Sequence, residues 1–319
     1  MKISELGGEF ALINRVVQRE CPDPAVVKGV GDDCAVIDAG GGECLLVTTD
    51  MMCEEVHFSF RWQSFHQVGW KLMEANVSDI VAMGGTPRWA FLSLSLTSDT
   101  SVEQVDEFYR GLYDSASRHS LYLIGGDTTH ADRRVLSLTI IGTAPRNLIR
   151  YRSGALPGDI VCVTGTLGKS EAGLRLLLAG KEGCTAGYTQ PRCRLAAEGR
   201  IIARHARAMI DVSDGLASEI AHICEESITG AVIEYDAIPL SPETTAAASA
   251  IGLDPHDFAL YGGEDFELLF TISAEAIGDL RKEFSDFTVV GEIVAAHQGV
   301  SIMKDGTRRP IGRGYDHFR

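Results

Sequence analysis

Two short apolar runs rich in β-formers, Cys34–Ile37 and Cys44–Val47, flank three consecutive glycines, Gly40–Gly42, and predict a β-hairpin within Val30–Asp50. Antiparallel pairing sets Asp32 and Asp33, ahead of the first run, beside Thr48, Thr49 and Asp50 at the end of the second, with opposed positions about 5 Å apart. Carboxylates that close repel unless a proton or a cation lies between them. Beyond the hairpin, Ser64–Met83 repeats at helical spacing, with Phe65, Val68, Leu72 and Met83 on one stripe. Asn76 and Asp79 fall on that stripe where apolar residues belong, and a carboxylate on a buried face needs a partner. Phe91–Leu96 alternates as a strand, Ser101–Ser120 is a second helix, and Leu121–Ile124 is a strand ending in Gly125-Gly126-Asp127-Thr128. Glycines at such a strand end admit a phosphate or a metal close to the backbone. Val135–Ile141 completes a first α/β unit near Arg150.

A linker over Asn147–Gly158 leads into a second α/β unit. Its expected elements are a strand at Asp159–Val163, helices at Ser170–Ala179 and Arg192–Ala208, and a strand at Ala208–Val212. The helix Leu216–Glu226 and strands at Val232–Tyr235, Phe266–Ile272 and Val289–Val294 follow, with helices at Thr244–Ala250 and Ala274–Phe284 between them. The expected division is 1–150 and 151–319. The fold class is α/β (α+β), in two domains.

With 319 residues, 45% of them hydrophobic, the chain can build a substantial core, and its net charge of −15 argues against a nucleic-acid or anionic-membrane surface. An acidic protein that handles phosphates must recruit cations locally. None of the eight cysteines forms a C-x-x-C pair, so neither a zinc ribbon nor a thioredoxin-type site is indicated. No signal or long apolar segment opens the chain, and a cytoplasmic location is expected.

Gly165-Thr166-Leu167-Gly168-Lys169-Ser170 has two residues between its glycines where a P-loop has four, so a P-loop NTPase is rejected. It reads as the turn into a helix, with N–H groups able to face a phosphate. Asp211-x-Ser213-Asp214-Gly215 lies between a strand and a helix, where Ser213 or Asp214 suits an N-cap, yet two carboxylates exceed what one cap needs. Asp33, Asp50, Asp79, Asp127, Asp211 and Asp214 thus fall at the ends of six elements. One cleft lined by these oxygens and loaded with Mg²⁺ accounts for all of them.

In chain order, GDDCAV, TTD with His57-Phe58 beyond it, NVSDIVAMGGTP, IGGDTT, RSGALPGD, VTGTLGKS, IDVSDGL, GGEDFELLF and GYDHF resemble the thiamine-monophosphate kinases. These belong to the aminoimidazole-ribonucleotide-synthetase-like superfamily of ATP-using proteins. The resemblance implies a first domain that dimerises through its sheet and an active site between the domains. It implies Mg²⁺ ligation by Asp33, Thr48, Thr49, Asp50, Asp79, Asp127, Asp211 and Asp214. ATP contacts would come from Gly126, Asp127, Arg152 and Ser213, and from Tyr109 unless it serves the core on its helical stripe, and thiamine phosphate contacts from His57, Glu264 and Tyr315. The implied reaction converts ATP and thiamine phosphate into ADP and thiamine diphosphate. No general base is required, because the attacking phosphate oxygen is already largely anionic near neutral pH. Two other readings use the same residues: a superfamily sibling acting on a different acceptor, and a non-catalytic acidic module that binds divalent ions.

Overall fold

The computed structural model describes residues 9–17, 21–312 and 314. After helix α1 (Glu9–Val16) come strands β1 (Val26–Lys28), β2 (Ala35–Gly40) and β3 (Glu43–Cys53), then helix α2 (Phe65–Ala82), β4 (Thr86–Leu96), α3 (Val102–His119), β5 (Tyr122–His130) and β6 (Val135–Pro145). The strands make one six-stranded sheet in the order β1-β2-β3-β6-β4-β5, antiparallel except for β4 and β5. The predicted hairpin is β2–β3. Ala35 lies opposite Val47, so the Asp32-Asp33 turn is level with the Thr48–Asp50 end of β3.

The second half runs β7 (Ile160–Thr164), α4 (Lys169–Leu178), α5 (Ala186–Thr189), α6 (Ala196–His205), β8 (Ala208–Asp211), α7 (Leu216–Ser227), β9 (Thr229–Glu234), α8 (Pro242–Ile251), α9 (Pro255–Tyr261), β10 (Leu268–Ile272), α10 (Ile277–Glu283), β11 (Phe287–Ala295), β12 (Val300–Lys304) and β13 (Thr307–Pro310). Its seven strands order as β13-β12-β9-β11-β7-β10-β8, with only β9 and β12 parallel. The fold is therefore two mixed α/β units. Among the described residues no helix is long and apolar enough to cross a membrane.

Helix α2 joins the halves. Ser64 and Gln67 close a capping box at its start, which supplies partners for N–H groups that have none inside the helix. It packs on β3, β4 and β6 and also on β8 and α6 of the second half. It is accordingly buried all round, and one apolar cluster runs from Leu46, Leu138 and Ile140 through Leu72 and Ile80 to Met209 and Phe270. Each such leucine or isoleucine contributes about 2 kcal/mol by leaving water. A Cβ on Gly69 of α2 would stand 2.1 Å from the Phe108 carbonyl oxygen, and one on Gly111 of α3 1.9 Å from that of His66. Only glycines let these helices cross so closely.

The structure changes some expected boundaries. β4, β5 and β6 run well past their apolar runs, so Gly125-Gly126-Asp127-Thr128 lies inside β5 and does not end it. The helix expected over Arg192–Ala208 is only α6, because the Glu198 carboxylate takes the Leu195 N–H and fixes the start there. Met209 is a residue of β8. α5, α9, β12 and β13 carry too few periodic residues to stand out in the sequence.

Candidate active site

The acidic positions meet where β3, α2 and β8 come together. Asp33 enters from the turn before β2, Asp79 from the last turns of α2 and Asp211 from the end of β8, and their carboxylate oxygens lie within 4.8 Å of one another. Each is held. Thr48 donates its hydroxyl to Asp79 (2.5 Å), Ser78 donates to Asp211 (2.6 Å), and Arg152 donates from Nε and Nη2 to Asp33 Oδ1 (2.9 and 2.6 Å). Asp50 joins from β3, its N–H bonded to the Asn76 side chain at 3.0 Å. The buried oxygens Asp32 Oδ2 and Asp33 Oδ2 accept no hydrogen bond, although the Lys28 ammonium lies 3.6 Å from Asp32 Oδ2.

Burial raises every one of these carboxyls. Asp50 is pushed up to about 6 by desolvation, and Asp32 to about 6 by desolvation and the neighbouring Asp33 charge. Asp211 rises to about 8 by desolvation and Asp33. Asp79 rises well above the carboxylate range through desolvation and the charges of Asp50, Asp211 and Asp33. The Arg152 guanidinium is the cation paired with Asp33. Oxygen-only donors, orphaned buried oxygens and uncompensated negative charge fit a hard divalent ion such as Mg²⁺.

A second buried group, Glu74, His119 and Cys193, has ligand-like spacing but already holds a cation. Arg118 Nη1 lies 3.0 Å from Glu74 Oε2 and 2.8 Å from His119 Nε2. With Ser115 Oγ and the Cys193 N–H also donating to Glu74, it is a polar knot tying α2 and α3 to the second half.

Beside the acidic cluster opens a pocket of about 140 Å³, lined among others by His57, Tyr188, Ser213, Asp214 and Glu264. His57 Nδ1 accepts the Cys53 N–H at 3.1 Å. Glu264 stands at φ +67°, a conformation that costs a non-glycine residue about 1–3 kcal/mol and clusters at functional sites. Its carboxylate pairs with the fully buried Lys71, Nζ to Oε2 2.6 Å. The sequence reading missed Lys71, and it also missed Glu219, which accepts the Asp214 N–H at 2.8 Å and faces the Ser213 hydroxyl at 3.4 Å. A lysine on the mainly apolar face of α2 was the available signal for the first. For the second there was none.

Two expectations change. Ser213 and Asp214 are not the N-cap of α7: Gly215 is, with no side-chain cap. The N–H groups of Gly168 and Ser170 are taken by Asp265 (2.5 and 3.2 Å) and so do not face a phosphate. Thr49 and Asp127 stand apart from the cluster. Strand alternation turns Thr49 to the open face, where its hydroxyl meets Thr139 at 3.0 Å, and Asp127 is level with Ser93 on the edge strand β5. Gly126 is a glycine because a Cβ would stand 1.9 Å from the Leu92 carbonyl oxygen, a close approach of strand to strand. Tyr109 is half-buried on α3, with ring contacts to Phe108 and Tyr113. Tyr315 lies outside the described residues.

Residues 31–144 match the N-terminal domain of AIR synthase related proteins, and residues 157–304 match the C-terminal domain. The thiamine-monophosphate kinase of Aquifex aeolicus is 34% identical over all of both chains. That of Bacillus subtilis is 34% identical over 98% of this chain and 99% of its own. An AaThiL structure complexed with AMPPCP and TMP superposes with a TM-score of 0.86 at 33% identity, covering 99% of each chain. The hydrogenase maturation protein HypE in complex with ATP shares the fold at 18% identity and TM-score 0.72, over 97% of this chain and 96% of its own. The chain thus belongs to the AIR synthase related proteins and, within them, to the thiamine-monophosphate kinase family.

Proposed function

We propose that the chain transfers the γ-phosphoryl group of ATP to thiamine phosphate, giving ADP and thiamine diphosphate, where its two halves meet. The observation that carries this reading is the meeting of Asp33, Asp79 and Asp211, from both halves, within 4.8 Å. Ions such as Mg²⁺ would be held by Asp33, Thr48, Asp50, Asp79 and Asp211, with Asp214 beside them. Magnesium bound there supplies neutralisation of the facing phosphates and of charge developing on the transferred group.

The protein's own residues do the rest. Arg152, fixed by Asp33 through Nε and Nη2, keeps Nη1 for a nucleotide phosphate oxygen, and Ser213 offers a hydroxyl from the pocket wall. His57 and Glu264 receive the thiamine moiety, the Glu264 carboxylate answering its positive charge. The acceptor oxygen needs no base to activate it, so positioning is the main catalytic work.

We assign the division between the domains to Arg150 and Tyr151, supported by the gap between the two family matches. We also assign a homodimer packed through the open face of the first sheet. Its support is the exposed Met51, Trp89, Phe91, Tyr122 and Ile124 on or beside that face, since grouped apolar side chains on a surface mark contact sites. Thr49, Gly126, Asp127 and any metal or nucleotide contacts they make would then lie near the second copy. The eight unpaired cysteines support a reducing, cytoplasmic setting.

The test is incubation with ATP, thiamine phosphate and Mg²⁺, with ADP and thiamine diphosphate quantified together. Equal amounts of both are expected, and none in chelator. ADP without thiamine diphosphate, or preference for another acceptor, contradicts the reading.

A further inference from the structure

Lys71 is the one charged side chain of α2 aimed at the thiamine-side pocket, and it touches three of that pocket's walls. Its side chain is fully buried. Nζ lies 2.6 Å from Glu264 Oε2, 2.9 Å from the His57 carbonyl oxygen and 4.3 Å from the centre of the Tyr188 ring. His57 follows β3 in the first half, whereas Tyr188 and Glu264 belong to the second. One ammonium thus fixes parts of both halves.

A merely structural role explains this poorly. Burying a lysine is costly, and an apolar residue of like volume would serve the core as well or better. Glu264 is itself 28% exposed at the side chain, so it does not need Lys71 in order to be buried. The pair instead occupies one carboxylate oxygen. It leaves Oε1, which has no partner among the described residues, as an oriented acceptor on the pocket wall. Burial pulls the Lys71 ammonium down while the Glu264 charge holds it up.

We propose that Lys71 is a positioning residue for the cationic part of the substrate, setting Glu264, Tyr188 and the His57 backbone in register across the two halves. This rests on the thiamine phosphate reading above. The test is steady-state kinetics of Lys71→Met, Glu264→Gln and the double variant, with melting temperatures as the fold control. Lys71→Met should raise KM for thiamine phosphate about tenfold, the equivalent of losing one well-placed charged contact. KM for ATP should stay within about twofold. The double variant should be no worse than the worse single, because the lysine acts through the glutamate. Should Lys71→Met fail to fold, Lys71→Gln, which keeps an amide donor for the Glu264 carboxylate and the His57 carbonyl but no charge, should show the same selective rise in KM. Equal changes in both KM values, additive losses, or an unchanged KM for thiamine phosphate overturn the proposal. Wild-type protein that neither binds nor turns over thiamine phosphate would overturn the functional reading first.

Discussion

Replacing Asp79 by asparagine should stabilise the metal-free protein while removing its response to magnesium. Asp79 is held well above the ordinary carboxylate range by desolvation and by Asp50, Asp211 and Asp33, and in the unfolded chain it titrates near 3.9. The folded state therefore binds the extra proton. Stability from this group is full at low pH and falls as pH rises from about 4 toward the folded value, by about 1.4 kcal/mol per pH unit. The penalty grows over each pH unit in which the folded group still holds its proton, and relaxation and water entry reduce it. Asparagine is nearly isosteric, can still accept the Thr48 hydroxyl, and carries no titrating charge. The metal-free variant should melt higher than wild type near neutral pH, each kcal/mol being worth about 2–4 °C, and should melt together with wild type near pH 4. Magnesium, which binds the ionised carboxylates, should raise the wild-type midpoint increasingly with pH and leave the variant's nearly unmoved. Scanning calorimetry at several pH values, with chelator or Mg²⁺, reads all of this. A metal-free variant less stable than wild type at neutral pH, or one with an undiminished magnesium shift, refutes the reasoning.

Asp50→Asn should lower kcat by at least about a hundredfold at saturating Mg²⁺ with the melting transition intact; near-normal turnover would remove Asp50 from the metal set. Gly126→Ala forces a Cβ to 1.9 Å from the Leu92 carbonyl oxygen, so it should cost about 1–3 kcal/mol as β5 shifts from β4. Denaturant unfolding checks this, and an unchanged midpoint would show that the strands can part freely.

Local chemistry was well legible in the sequence. The hairpin followed from two β-rich runs around Gly40–Gly42, and both long helices of the first half begin at serines that cap them, Ser64 and Ser101. The acidic cluster was legible too, because Asp79 broke an apolar stripe and Asp33 faced the end of β3. Strand parity was equally readable. Thr48 and Asp50 point one way and Thr49 the other. Partners brought from afar were not legible. Glu219 takes the Asp214 N–H, Asp265 caps α4, and Lys71 meets Glu264 from 193 positions away. Each is an ordinary polar residue until the two halves close. The close approach of β4 to the glycine of β5 was likewise not legible, since Leu92 and Gly126 meet only once the sheet forms.

The central claim is that carboxylates from both halves together hold divalent ions between two sets of phosphates. Its most direct measurement is paramagnetic resonance of Mn²⁺ titrated into the protein with a non-hydrolysable ATP analogue and thiamine phosphate. The prediction is tight, protein-dependent Mn²⁺ binding beyond what the nucleotide alone holds, weakened in Asp211→Asn and in Asp79→Asn. Manganese bound no more tightly than by free nucleotide, or bound equally by both variants, would contradict it.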